Sequence, residues 1–409
     1  MSRLGAGRHA EDAGPAVPDG LRTSVHELTT ADGAAVTGVL RVPAGARTVV
    51  TLMHPRQDVT HHALVPYLLA AGHAVWTQGS RSPNNDLNLL HEQALLDFAA
   101  GHVFLRDSGF GHVVTLGHSG GATLAAFYCQ QAALAPGDRL ATAPSGRPVA
   151  LRDATMPEPD GAVFLAPHPG QGALLQRVID PSVTDENDPL AADPGLDPFD
   201  PANGFREAPA PAAYDADFVA RYRAAQADRI RRIDATAAAL VAEARSANRS
   251  FTAHPDAYQR RRALAPRLIT VYRTDADLRN VDLSIDPNAR PYGSLFGRRP
   301  DLTNYGLVGF GRLSTAAAWM STWSANTTNA DFRRCAPGVR VPTLLLEFTG
   351  DQASFPSDIA EFTQALGATD LTVDAVPGTH FGRPIAEGAP SGNELAAAVV
   401  EKWLAARVS

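Results

Sequence analysis

Val113-Val114-Thr115-Leu116-Gly117-His118-Ser119-Gly120-Gly121 runs from a short apolar strand, through Gly-x-Ser-x-Gly, into a helix that starts near Ala122. A serine at such a strand–turn–helix junction sits on a sharp, strained turn. Bulk at either flank would clash with the strand or the helix, which is why glycines stand there. The turn lifts the Ser119 hydroxyl off the sheet. It also puts the Gly120 N–H at a helix N-terminus, where positive partial charge can meet an oxyanion. Bare Gly-x-Ser-x-Gly matches arise by chance in Gly-rich chains; the strand before and the helix after give this one its context.

Outward from this turn, the chain alternates strands and helices. Residues 23–30 and 35–42 read as two strands around the turn Ala31-Asp32-Gly33. Residues 48–54 form a continuous apolar run, as in a strand buried on both faces, and 73–78 the next strand. Residues 62–71 read as a short helix. Residues 86–106 read as a long one, with Leu87, Leu90, Ala94, Leu95, Phe98 and Val103 at helical spacing. Asn84, Asn85 and Asp86 precede it as caps or as pocket residues. The elbow helix spans 123–134, and a further buried-type strand spans 161–166. Beyond that strand the pattern changes. Residues 215–247 make one long helix capped by Asp215, with Phe218, Tyr222, Ile230 and Ile233 on one face. Residues 268–272 read as a strand, and 314–323 as a helix that puts Trp319 and Trp323 one turn apart. Strands return at 341–348 and 371–376, with helices at 357–366 and 393–407. The predicted architecture is α/β: a mostly parallel sheet flanked by helices, with a large, mainly helical insertion. Residues 1–20 are a loose tail, 21–170 and 331–409 the core, and 171–330 an inserted cap.

A serine hydroxyl is a poor nucleophile until a base takes its proton, and that base is usually a histidine held by a carboxylate. Asp351 follows the strand in Pro342-Thr343-Leu344-Leu345-Leu346-Glu347-Phe348-Thr349-Gly350-Asp351, and His380 follows the next one in Val376-Pro377-Gly378-Thr379-His380. Glu347 is the rival acid, but it lies within the strand. The oxyanion hole needs two donors. Gly120 N–H is one; the other should come from the loop His54-Pro55-Arg56-Gln57-Asp58. Pro55 has no N–H, so Arg56, or else Gln57, supplies it. The Arg56 side chain is also placed to face a substrate carboxylate. His54, Gln57 and His168 are expected at the substrate, the last in the turn Pro167-His168-Pro169-Gly170 at a strand's carboxyl end. Tyr222, Trp319 and Trp323 are candidate roof residues. His118 reads as packing under the elbow. A metal site at His54, His61 and His168 fits no standard ligand spacing, so no metal and no cofactor are expected.

These residues resemble the α/β-hydrolase superfamily, over about 23–166 and 341–407. The elbow, the acid loop at Asp351 and the Gly378-Thr379-His380 turn match its order of nucleophile, acid and base. One departure is His54-Pro55, where many members have His-Gly. The stretch Asn84-Asn85-Asp86 and the segment 179–190 look like those of a little-described bacterial subgroup of capped hydrolases. The resemblance implies a hydrolase but no particular substrate.

Composition narrows the function further. The chain has 409 residues, 44% of them hydrophobic, and a formal net charge of −7 with pI about 6.0. The acidic balance argues against a nucleic-acid partner. Lys402 is the single lysine, so a Schiff-base mechanism is not expected. The wealth of Ala, Arg and Pro suggests a GC-rich bacterial genome. Cys129 and Cys335 lack a metal-type spacing and read as packing residues in a reducing compartment. No signal-type apolar segment opens the chain, and no apolar run nears the roughly 18 residues of a membrane span. A cytoplasmic enzyme is the default, with homo-oligomerisation left open. The expected activity is hydrolysis of a small, largely apolar carboxylic ester or lactone in a roomy, enclosed pocket. Cleavage of a C–C bond, amide or thioester, or ligand binding by an inactive hydrolase fold, are the alternatives.

Overall fold

The computed structural model describes residues 14–83 and 85–408. Most of the expected tail (1–13) and Asn84 lie outside the described residues. Among the described residues the main sheet has eight strands: β1 (Arg22–Thr29), β2 (Ala35–Val42), β3 (Thr48–Met53), β4 (Ala74–Gln78), β5 (His112–His118), β6 (Gly161–Leu165), β9 (Thr343–Phe348) and β10 (Leu371–Val376). Their order is β1-β2-β4-β3-β5-β6-β9-β10. β1 and β2 are antiparallel to their neighbours, and every pairing from β4 to β10 is parallel. A parallel sheet must be covered on both faces. Here Phe98, Phe127, Tyr128 and Phe332 build one apolar layer, and Leu68, Leu69, Val400 and Trp403 build the other. Cys129 and Cys335 lie in the first layer as free, buried thiols pushed up to about 12 by burial.

The order sets β5 near the middle of the sheet, so the turn after it opens between covered faces. Gly117 is required there: a Cβ would lie 2.5 Å from the Ala122 Cα and 2.6 Å from its nitrogen. Ser119 itself takes φ +56° and ψ −121°, a conformation that costs a non-glycine residue of order 1–3 kcal/mol. The helix Gly120–Ala132 then begins directly at Gly120.

Residues 171–330 add no strand to the main sheet. They hold the helix Gln171–Val178, the long helix Ala216–Ala253 and a separate two-stranded sheet of β7 (Leu268–Thr270) and β8 (Leu313–Thr315). Asp215 caps the long helix, accepting from Phe218 N at 2.6 Å. Two expected helices differ from the sequence reading. The helix of residues 314–323 is instead strand β8, one helical turn at Ala316–Ala318 and a π-turn at Trp319–Trp323. The helix expected from 86 is His91–Asp107, because Asp86 is drawn away to Arg56. Among the described residues no helix is long and apolar enough to cross a membrane.

Candidate active site

Three loops at the carboxyl ends of β5, β9 and β10 bring Ser119, Asp351 and His380 together. Ser119 Oγ lies 2.7 Å from His380 Nε2, and His380 Nδ1 lies 2.9 and 2.8 Å from the two Asp351 carboxylate oxygens. Asp351 and His380 are each 1% exposed. The carboxylate is aimed by its own loop, with Ala353 N and Ser354 N donating to Oδ1 at 2.7 and 3.0 Å. Gly350 N donates to Gly378 O at 2.9 Å and ties the acid loop to the histidine loop. Glu347 stays in β9, half-buried and raised above the usual carboxylate range by desolvation and by Asp351.

His118 is more than packing. Leu64 N donates to His62 Nδ1 at 3.2 Å, which leaves the proton of His62 on Nε2. That nitrogen lies 2.9 Å from His118 Nδ1, and His118 Nε2 lies 2.9 Å from the carbonyl of His380. One direction satisfies all three bonds: amide to His62, His62 to His118, His118 to the backbone of His380. Nothing in the local sequence links residues 62, 118 and 380, so spacing could not have revealed this chain.

The oxyanion loop departs from expectation. Arg56 N and Gln57 N both donate to His54 Nδ1, at 3.0 and 2.9 Å. Arg56 N, or else Gln57 N, is the expected second oxyanion donor, but both amides are directed to the imidazole that precedes them. Residues 55–57 form a bend, and within it the ring accepts from both. The Arg56 guanidinium is equally committed. It forms a two-pronged pair with Asp86 at 2.6 and 2.5 Å and lies over Trp323, 4.7 Å from the ring centroid. With its charge matched by Asp86, it is not a free receptor for a substrate carboxylate.

The remaining expected residues divide. His54 and Gln57 line the cavity at Ser119 with Leu52, Val59, Leu116 and Phe381. His168 is buried beside the elbow, and burial holds its imidazole well below the ordinary range. Tyr222, Trp319 and Trp323, expected as a roof, do not line this cavity. Tyr222 packs against Phe218 and donates to Ala276 O at 2.6 Å. Trp319 and Trp323 pack with Leu174, Leu175 and Ile230, and Trp319 Nε1 donates to Asp234 at 2.7 Å. The two rings share this cluster within residues 171–330, and Trp323 also meets Arg56 of the core. The cavity is narrow as well, with room for about one water molecule rather than a roomy chamber. The insertion closes in through Gln171 at Gly120, Ser321 on Glu92 and Asn288 on the Asp351 carbonyl. Among the described residues no group of three or more His, Cys, Asp or Glu side chains is arranged to hold a metal ion. His61 is exposed, whereas His54 and His168 are buried.

Sheet order, elbow and loop positions define the α/β-hydrolase fold, with residues 171–330 inserted between β6 and β9. In sequence the chain matches no family model and no curated protein. In structure it is similar to DcsB, solved in complex with its substrate analogue, at TM-score 0.49 and 10% identity over 95% of this chain and 100% of that one. It is similar to brefeldin A esterase, described as a bacterial homologue of human hormone-sensitive lipase, at TM-score 0.45 and 15% identity over 96% and 79%. It is also similar to Est1E from Butyrivibrio proteoclasticus, at TM-score 0.46 and 11% identity over 94% and 98%.

Proposed function

We propose that the protein is a serine hydrolase that cleaves a carboxylic ester or lactone of a small, largely apolar organic substrate through an acyl-enzyme. The observation that carries this is the line from Ser119 Oγ to His380 Nε2 at 2.7 Å and from His380 Nδ1 to Asp351. Asp351 holds the proton on Nδ1 and leaves Nε2 as a base. Ser119 Oγ bonds to the substrate carbonyl carbon as His380 takes its proton, and the carbonyl π pair moves onto oxygen. Collapse of the tetrahedral centre expels the alkoxide, which takes that proton. Water repeats the cycle and frees the acid and Ser119. Gly120 N–H, at the first position of its helix, faces the developing charge. The apolar wall of Leu52, Val59 and Leu116 suits a short acyl group, with the 40% exposed Phe381 at its rim.

Residues 171–330 serve as the cap of this site. Their contacts at Gly120, Asp351 and Glu92 support this reading, in which they cover the strand ends and select substrate while the core supplies the chemistry. The test is labelling of Ser119 by a fluorophosphonate together with turnover of short nitrophenyl esters. The expected result is one label per chain, at Ser119, and ester hydrolysis. An unlabelled, folded protein without esterase activity would refute the proposal.

A further inference from the structure

Ser119 and Asp351 hold the ring of His380 at its two nitrogens, but neither holds its backbone. The residue follows β10 in a turn spanning 379–382, where Gly382 N donates to Thr379 O at 2.7 Å. His380 is buried, and a buried carbonyl needs a donor. Among the described residues no backbone amide supplies one; His118 Nε2, at 2.9 Å, does. His118 is the last residue of β5, opposite Leu165 of β6, and directly precedes Ser119. Its ring packs edge-on against Phe348 at the end of β9. Whether such a ring donates or accepts at Nε2 depends on its far nitrogen, which faces His62. His62 is held at backbone and ring: its N–H donates to Val59 O at 3.0 Å, its carbonyl accepts from Val65 N at 2.9 Å, and its Nδ1 accepts from Leu64 N at 3.2 Å. The neutral ring of His62 therefore carries its proton on Nε2, 2.9 Å from His118 Nδ1. His118 accepts there and so donates from Nε2.

We propose that His118 is a positioning residue of the catalytic base: its Nε2–H, set by His62, pins the His380 carbonyl to the strand end that carries Ser119. The proposal rests on the acyl-transfer reading above. One strand end then reaches the base twice, at the ring through Ser119 and at the backbone through His118. The second tie keeps His380 Nε2 in line with the Ser119 proton, and misplacing a reacting group is costly in rate. His62 and His118 also line the cavity at Ser119, so a substrate contact is the rival role that the kinetics must separate.

Two measurements test it. Histidine-¹⁵N NMR of the wild-type protein at about pH 7–8 should show His62 and His118 as neutral Nε2–H tautomers. A Nδ1–H tautomer at His118 overturns the proposal without any mutation. In the second, kcat and KM for a short nitrophenyl ester are compared in folded His118→Leu, His118→Gln and His62→Leu, and in the His62→Leu/His118→Gln double variant. His118→Leu should lose about 10–10²-fold in kcat with KM within about threefold, and the downfield Nδ1–H resonance of His380 should shift or broaden. His118→Gln places an amide N–H at the same carbonyl and should recover about fivefold or more. His62→Leu releases the His118 tautomer and should cost about three- to tenfold, but less than about twofold in the His118→Gln background, because an amide turns its own N–H to a carbonyl. A His118→Leu variant within about threefold of wild-type kcat overturns the proposal, as does one whose loss lies in KM, which would make His118 a substrate contact. It is also overturned if His118→Gln is no better than His118→Leu, or if His62→Leu costs the same in both backgrounds. Fluorophosphonate labelling separates the two failures: an unlabelled wild-type Ser119 sinks the hydrolase reading, whereas normal labelling with an indifferent His118→Leu sinks only the positioning role.

Discussion

Two histidine-bearing walls flank Ser119, and they are built on opposite plans. On one side, Asp351 accepts from His380 Nδ1, so Nε2 is left as an acceptor 2.7 Å from the serine hydroxyl. On the other, backbone amides donate to Nδ1 of His54 and His168, so Nε2 is left as a donor. The same side chain becomes a base or a donor according to what meets its far nitrogen. A negative partner raises the cost of removing the Nδ1 proton and stabilises the imidazolium formed in turnover; an amide partner makes protonation at Nδ1 a clash. The chemistry of the site is thus written in the second partner of each ring.

The most severe way to break this comparison is to remove the group between the walls. Ser119→Ala should fold, because an alanine methyl matches the serine Cβ at the same strained φ. Turnover should fall by about 10⁴–10⁶, the typical loss for a member of such a triad. Ester hydrolysis by the purified variant is the measurement; a folded protein with near-normal kcat would show that neither wall acts on Ser119.

A sharper cut exchanges the partner itself. Asp351→Asn keeps the shape of the carboxylate but can present an amide N–H to His380 Nδ1. Its oxygen is already engaged by Ala353 N and Ser354 N, which favours that orientation. His380 would then carry its proton on Nε2, as His54 does, and could not accept from Ser119. The expected loss is about 10⁴ in kcat with substrate binding retained. Glu347→Gln should do little, since Glu347 stays in β9. A large loss for Glu347→Gln with a small one for Asp351→Asn would reverse the acid assignment.

How much of this could be read from the chain follows the same division. The elbow was legible because its constraint is local: Gly117 faces the Ala122 backbone five residues away. Asp351 and His380 were legible as positions after strands, in an order that the superfamily resemblance supplies. The oxyanion loop was not, because the outcome depends on which way the His54 ring turns within the bend at 55–57, and no periodicity records that. Arg56 and Asp86 pair across thirty residues, and His62 and His118 across fifty-six, distances over which spacing is silent. For Trp319 and Trp323, helical spacing identified a shared face but not what that face meets. It met Leu174, Leu175 and Ile230, not the substrate cavity.

The smallest expected effect comes from a histidine that belongs to neither wall. His102 is buried between Phe98 and Tyr128, and desolvation pushes its imidazole down to about 3. In the unfolded chain the ring titrates near 6.5. Below that pH the unfolded state binds a proton that the folded state refuses, so stability falls as the solution is acidified from about 6.5 toward 3. His91, pushed down to about 4, and the buried His168 act with the same sign. Asp275, raised to about 6 by burial, opposes them: its folded form takes up a proton first, so it adds stability as pH falls from about 6 toward its ordinary value. His73, lowered by burial, joins the histidines, and Glu92, Asp97, Asp197 and Glu347, raised by desolvation, stand with Asp275, so the test reads the contribution of one histidine rather than the net slope. His102→Phe keeps the aromatic stack and removes one of the titrating groups. Urea unfolding at several values between about pH 6 and 4.5 should show the slope of unfolding free energy against pH reduced by at most about 1.4 kcal/mol per unit, the worth of one proton. An unchanged slope would mean that His102 is already protonated in the folded protein, which the apolar stack around it argues against.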